Sequence, residues 1–89
     1  MIRSSLKTGG VWYKAQGGTI EEAITSLNPK VARGVSILVL EKGDVRREKI
    51  ISAGTAMRLF GPASRVSKEI AWKQVLTLFD KSIFEGNDA

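Results

Sequence analysis

The sequence predicts one small α+β domain, in which two helices pack on one face of a small antiparallel sheet of three to four strands. The predicted order is β-α-β-β-(β)-α. Glycine turns separate short segments of alternating apolar and polar residues, which indicate strands, and two segments have the apolar spacing of helices. A chain of 89 residues has room for one core, and its 43% hydrophobic and 26% charged residues are ordinary for a globular protein.

The beginning of the chain is interpreted as a polar arm over residues 1–9. The domain itself is assigned to residues 10–84, and residues 85–89 are interpreted as a polar tail. Residues 10–16 lie between two Gly-Gly pairs and predict the first strand, because Val11, Tyr13 and Ala15 alternate with Trp12, Lys14 and Gln16.

The first helix is predicted from a capping box, with Thr19 as the N-cap and Glu22 three residues later. Four apolar residues then follow at helical spacing, at positions 20, 23, 24 and 27. We expect this short helix to end before Asn28-Pro29, because the residue before a proline avoids helical geometry.

A basic β-hairpin is predicted next. Residues 35–40 are almost entirely apolar and rich in β-branched residues, which indicates a central strand. Residues 41–44 form the predicted turn, and residues 45–53 alternate as the second strand. This alternation places Arg46 and Arg47 on opposite sides of the strand.

The segment 54–61 fits two structures, a third strand of the meander or a single helical turn before Gly61-Pro62, and we favour the strand. A terminal helix capped by Ser64 or Ser67 is predicted to continue to Ile83, because its apolar residues recur at helical spacing. From Thr19 onward the predicted α-β-β-β-α order resembles, in topology alone, double-stranded-RNA-binding domains and the small Alu-binding proteins of the signal recognition particle.

Several kinds of chemistry are not expected from this composition. The chain has no Cys and no His, so the usual zinc, haem and iron–sulfur ligands and the base of a catalytic triad are missing. We therefore expect neither an enzyme nor a bound metal or cofactor. No apolar run approaches the roughly 20 residues of a membrane span, so the expected location is the cytoplasm, or a host's cytoplasm if the gene is viral.

The charge favours a polyanionic partner. Fourteen Lys and Arg residues against nine Asp and Glu residues give a net charge of +5. The leading hypothesis is a nucleic-acid-binding module that contacts phosphates through its basic hairpin, with candidate residues Lys42, Arg46, Arg47 and Lys49, supported by Lys30 and Arg33. The alternatives are a regulatory or assembly subunit that binds an acidic protein, and a solvated edge strand whose charges prevent aggregation.

Two further features have a binding and a packing interpretation. Trp12 shares a strand face with Lys14 and Gln16, so it is a stacking platform for bases if that face is exposed, and a core residue if a helix covers it. The terminal helix is more apolar than a small sheet requires. We therefore expect either core packing alone or an added homodimer interface, with Trp72, Leu76 and Phe79 as its candidate residues.

Overall fold

The computed structural model describes residues 1–86, which form four strands and four helices. The strands are β1 (Ile2–Thr8), β2 (Val11–Gly17), β3 (Ser36–Lys42) and β4 (Val45–Ile51). The helices are α1 (Ile20–Thr25), α2 (Ala53–Phe60), α3 (Arg65–Leu78) and α4 (Lys81–Glu85). The predicted α+β class with a small antiparallel sheet is confirmed, although the number and order of the elements differ from the prediction.

The four strands form one antiparallel sheet in the order β2-β1-β3-β4. Two hairpins, β1–β2 and β3–β4, are joined side by side through the pairing of β1 with β3. In the register, Leu6 lies opposite both Tyr13 and Leu38. The outer strands β2 and β4 are the two edges of the sheet.

The core lies between the helices and one face of the sheet. Alternate strand residues point into this core and are at most 3% exposed: Ile2, Leu6, Leu38, Leu40 and Ile51. All four helices contribute to the same cluster, with Ile20 and Ile24 from α1, Ala56 from α2, Val75 from α3 and Phe84 from α4. The helices therefore cover a single face of the sheet.

The predicted polar arm at residues 1–9 is wrong, because residues 2–8 form the inner strand β1. Two polar residues point into the core in this strand, and each hydroxyl group has a hydrogen-bond partner there. Ser4 Oγ donates to the Ala23 carbonyl at 2.6 Å, and Thr8 Oγ1 accepts from the Ala32 N–H at 2.8 Å. The turn after β1 is Gly9-Gly10, whose two positive φ angles, 57° and 77°, are those that a tight hairpin turn of type I′ requires.

The favoured strand at residues 54–61 is also wrong, because residues 53–60 form helix α2. Ser52 caps it, since its side-chain oxygen accepts from the Thr55 N–H at 3.2 Å. The helix buries Ala56 and ends before Gly61-Pro62. With α2 in place, the order after Thr19 is α-β-β-α-α-α, so the topological resemblance to double-stranded-RNA-binding domains and Alu-binding proteins is lost.

The remaining helix predictions are corrected in detail. Thr19 caps α1 as predicted, accepting from the Glu22 N–H at 3.1 Å. Ser64 is the cap of α3, but the terminal helix is broken at Phe79 and restarts as α4 under an Asp80 cap. Residue 85, predicted as the start of a polar tail, is the last residue of α4, and residues 87–89 of that tail lie outside the described residues.

Candidate functional site

The second face of the sheet carries the candidate site, and we call it the helix-free face. Its twelve residues follow from the strand register and alternation, and none of them belongs to the core cluster. They are Arg3, Ser5 and Lys7 on β1, Trp12, Lys14 and Gln16 on β2, Ile37, Val39 and Glu41 on β3, and Arg46, Glu48 and Ile50 on β4.

An exposed aromatic ring stands at one edge of this face. Trp12 is 44% exposed, whereas its strand neighbour Tyr13 points to the other side and packs against the core. Lys7 is the cross-strand partner of Trp12, and its Nζ atom lies 5.9 Å from the centre of the Trp12 ring, within cation–π distance. The side chain of Trp12 therefore combines an accessible ring with a neighbouring positive charge.

Two shallow depressions adjoin each other across the centre of the helix-free face. One, of about 260 Å³, is lined by Trp12, Val39 and Arg46, and the other, of about 290 Å³, is lined by Arg3 and Gln16 among others. Both share three lining residues, Ser5, Lys14 and Glu41. The surface of the helix-free face is therefore concave between the outer strands, because the small side chain of Ser5 lies between longer side chains.

The charges on this face are mixed but mostly positive. It carries four cations, Arg3, Lys7, Lys14 and Arg46, and two acids, Glu41 and Glu48. Arg46 and Glu48 form an ion pair along β4, with N–O separation of 2.5 Å. Glu41 is half-buried between its cross-strand neighbours Arg3 and Arg46, yet within residues 1–86 it makes no ion pair and no hydrogen bond through its side chain.

The predicted hairpin cations are divided between the two faces of β4. The predicted hairpin itself is confirmed, with Gly43-Asp44 as its turn. Arg46 lies opposite Glu41 on the helix-free face, whereas Arg47 and Lys49 lie opposite Leu40 and Leu38 on the face that bears the helices.

Arg47 also contributes to the electrostatics of the helix layer. The pKa of Asp80 is lowered, chiefly by the hydrogen bonds from the Ser82 hydroxyl and backbone N–H, with a smaller contribution from the positive charge of Arg47. The charge of Arg47 therefore acts on the cap of α4 rather than on the helix-free face.

The supporting cations Lys30 and Arg33 lie far from the hairpin tip. They belong to the irregular segment between α1 and β3, which contacts the end of the sheet where β1 turns into β2. Lys42 lies at the other end of β3. Seven strand residues separate the two ends by roughly 20 Å, so the six predicted cations do not form one continuous surface.

The predicted dimer interface is corrected at one residue. Phe79 is 3% exposed and packs edge-on against Phe84, with the ring centres 6.1 Å apart, so it is a core residue. Trp72 and Leu76 are half-buried and pack against the same core. The exposed large apolar side chains of α3 are instead Val66, Ile70 and Leu78.

Sequence reasoning missed Arg3, Ser5 and Lys7, which complete the helix-free face. The interpretation of residues 1–9 as a polar arm excludes these three residues from the sheet. A signal was available, since Ile2, Ser4, Leu6 and Thr8 alternate with these three residues, and a two-residue Gly-Gly turn precedes the next strand.

The comparisons with protein families, curated proteins and solved structures found no match to this chain. Within the part of the chain that the structure describes, no cluster of acidic residues has the arrangement of a metal site. None of the helices described is long and apolar enough to cross a membrane.

Proposed function

We propose that the chain is a non-catalytic module that binds single-stranded nucleic acid across the helix-free face of its sheet. The observation that supports this most directly is Trp12, an exposed ring with the Lys7 ammonium beside it and a depression lined by Lys14 and Arg46 next to it. Rings on an open sheet face, interleaved with cations, are a common design for binding unpaired bases.

Stacking on Trp12 would supply the base contact. A base stacked on an aromatic side chain contributes about 1–3 kcal/mol, without regard to sequence, because every base has a flat π face. The exposed ring of Trp12 lines the same depression as Ser5, Lys14 and Glu41, so a base placed on it would have polar and charged groups within the depression beside it. In a duplex the base faces are covered by stacking, which favours single strands as the ligand.

Phosphate contacts would come from the cations around that ring. Lys7 and Arg3 on β1, Lys14 on β2 and Arg46 on β4 span the width of the sheet. Neighbouring strands are about 4.8 Å apart, so a single strand of nucleic acid crossing the sheet would meet cations on β2, β1 and β4, three of the four strands. This arrangement differs from the hypothesis of a basic hairpin tip, because it depends on one face and not on one loop.

The test is binding to labelled single-stranded DNA and RNA of about 10 nucleotides over a salt series. The slope of log K against log salt is roughly −0.7 for each phosphate contact. Replacing Lys7 and Lys14 by alanine should therefore make the slope less negative by about 1.4. Trp12→Ala should weaken binding at every salt concentration while leaving the slope unchanged.

A matched control separates local contacts from total charge. The double variant Arg65→Ala with Lys73→Ala also removes two positive charges, but from exposed positions on α3 in the helix layer. It should leave the slope of log K against log salt as in the unmodified protein. Arg47→Ala with Lys49→Ala should also have little effect. An equal loss of affinity in all three double variants would show that binding depends only on net charge. Absence of binding at low salt would contradict the proposal.

A protein partner is the second candidate function. Val66 and Ile70 stand one turn apart on α3, 66% and 49% exposed, and Met57 on α2 is 45% exposed. Exposed apolar side chains of this kind support an interaction or assembly role, in which the hairpin cations would meet an acidic protein surface. A stoichiometric partner retained after nuclease treatment and lost in Ile70→Glu would favour this second function.

The site of action and the state of assembly are further parts of the proposal. We propose that the protein acts in the cytoplasm, and cellular fractionation of the native host would test this location. The expected homodimer stays a prediction, and light scattering on the purified protein would give the mass in solution. Because Phe79 is in the core, we expect such a dimer to use the exposed residues of α3 instead.

A further inference from the structure

We infer that the helix-free face prefers guanine, which the Glu41 carboxylate would recognise beside the stacking ring of Trp12. This inference rests on the proposed binding of single-stranded nucleic acid. Glu41 lines both depressions, and one of them also contains Trp12. Because Trp12 and Glu41 line the same depression, we expect a base stacked on that ring to lie in the depression that the carboxylate also faces.

The environment of Glu41 is unusual for a surface acid. It stands between Arg3 and Arg46 in the register, but over residues 1–86 its carboxylate is paired with neither, since Arg46 binds Glu48. A half-buried carboxylate without a partner keeps its acceptor capacity for a ligand. It would repel a phosphate at the same position, so phosphate binding gives no reason for it.

Guanine matches this acceptor better than the other bases do. Its Watson–Crick edge carries two adjacent donors, the N1–H and the N2 amino group, which a carboxylate can accept through its two oxygens. Cytosine and adenine offer one amino donor each on that edge, and uracil and thymine offer one ring N–H. A bidentate pair of this kind contributes about a tenfold preference or more.

The experiment compares oligothymidylates of about 10 nucleotides that carry one guanine, adenine or cytosine at the centre. The unmodified protein should bind the guanine oligonucleotide about tenfold more tightly than the others. Glu41→Gln should reduce this preference to about threefold or less, because the amide offers only one acceptor oxygen. Its affinity for plain oligothymidylate should be equal or higher, since a negative charge has been removed.

Glu21→Gln is the matched control, because it removes the same charge from an exposed residue of α1, outside the helix-free face, and should keep the preference for guanine. Equal binding of all the oligonucleotides would overturn the inference while the proposed function stands. A preference that survives in Glu41→Gln, or one for another base, would also overturn it. No binding of any oligonucleotide at low salt would instead overturn the proposed function, and the inference with it.

Discussion

Two buried serines on neighbouring strands should respond in opposite directions to the same substitution. Ser4 on β1 and Ser36 on β3 are 1% and 0% exposed. Ser4 Oγ donates to the carbonyl of Ala23 in the last turn of α1 at 2.6 Å, where a helix leaves its carbonyls without an internal partner. The hydroxyl of Ser36 has no hydrogen-bond partner in the described part of the chain.

The magnitudes follow from these hydrogen bonds. Ser4→Ala leaves the Ala23 carbonyl buried without its donor, so the free energy of unfolding should fall by about 1–3 kcal/mol. Ser36→Ala removes a buried hydroxyl that has no hydrogen-bond partner among residues 1–86, so stability should stay equal or rise by up to about 1 kcal/mol. With a urea m-value of about 1.5 kcal/mol/M, a loss of ~1.5 kcal/mol lowers the unfolding midpoint by about 1 M.

The assay is urea denaturation followed by circular dichroism, with both variants and the unmodified protein under one set of conditions. The midpoint of Ser4→Ala should lie clearly below that of the unmodified protein, and the midpoint of Ser36→Ala at or above it. Similar losses in the two variants would refute the reasoning, because burial alone and not hydrogen bonding would then decide the cost.

Three further changes test packing, backbone space and local electrostatics. Gly17→Ala should destabilise the fold by more than about 1 kcal/mol, because its Cβ would lie 2.6 Å from the backbone of α1. Gly54→Ala in α2 would place its Cβ at an ordinary contact distance of 3.9 Å from the Ser52 hydroxyl oxygen, and should stabilise the fold by about 0.5–1 kcal/mol in a thermal melt. Phe84→Ala should cost about 3–5 kcal/mol, since the ring is fully buried, and Phe84→Leu should cost less. The pKa of Asp80, measured by NMR titration, should lie below the ordinary 3.8 and rise toward it in Ser82→Ala. Because the folded-state pKa is depressed, the contribution of Asp80 to stability should be present above that ordinary pKa and be lost as the pH falls through the depressed one.

Each of these predictions has a contradicting result. Equal changes in stability in the two glycine variants would show that the backbone of α1 can move away from the added Cβ at little cost. A Phe84→Ala protein that melts at the unmodified temperature would place the ring outside the core. An Asp80 pKa unchanged by Ser82→Ala would show that the Ser82 hydroxyl is not the cause, and would assign the lowering to the backbone N–H groups of Ser82 and Ile83 and to the charge of Arg47.

Local chemistry made part of the fold predictable from sequence. The Thr19 cap identified α1, and the apolar run before Gly43-Asp44 identified the central hairpin, because both signals lie within a few neighbouring residues. The strand β1 is not predicted from sequence because its inward positions include Ser4 and Thr8, whose polar side chains are typical of solvent-facing residues. Their hydroxyls have partners 19 and 24 residues away in the sequence, and local pattern cannot reveal such partners.

The candidate site was only partly predictable for a related reason. Alternation placed Trp12 and Lys14 on one face and separated Arg46 from Arg47, as the structure has them. Whether a helix covers the face of Trp12 depends on how the whole chain packs. The segment 53–60 shows the same limit, because its residues fit both periods and the Ser52 cap with the burial of Ala56 decides for a helix.

The sheet order has a consequence for the way the chain folds. Each hairpin closes through a two-residue turn, so β1–β2 and β3–β4 can each form on the microsecond scale of an isolated hairpin. The pairing of β1 with β3, in which Leu6 lies opposite Leu38, forms only after α1 and the loop after it have brought the two hairpins together. Truncating either leucine should therefore mainly accelerate unfolding, with low φ-values, whereas changes at Gly9-Gly10 should slow the folding reaction itself.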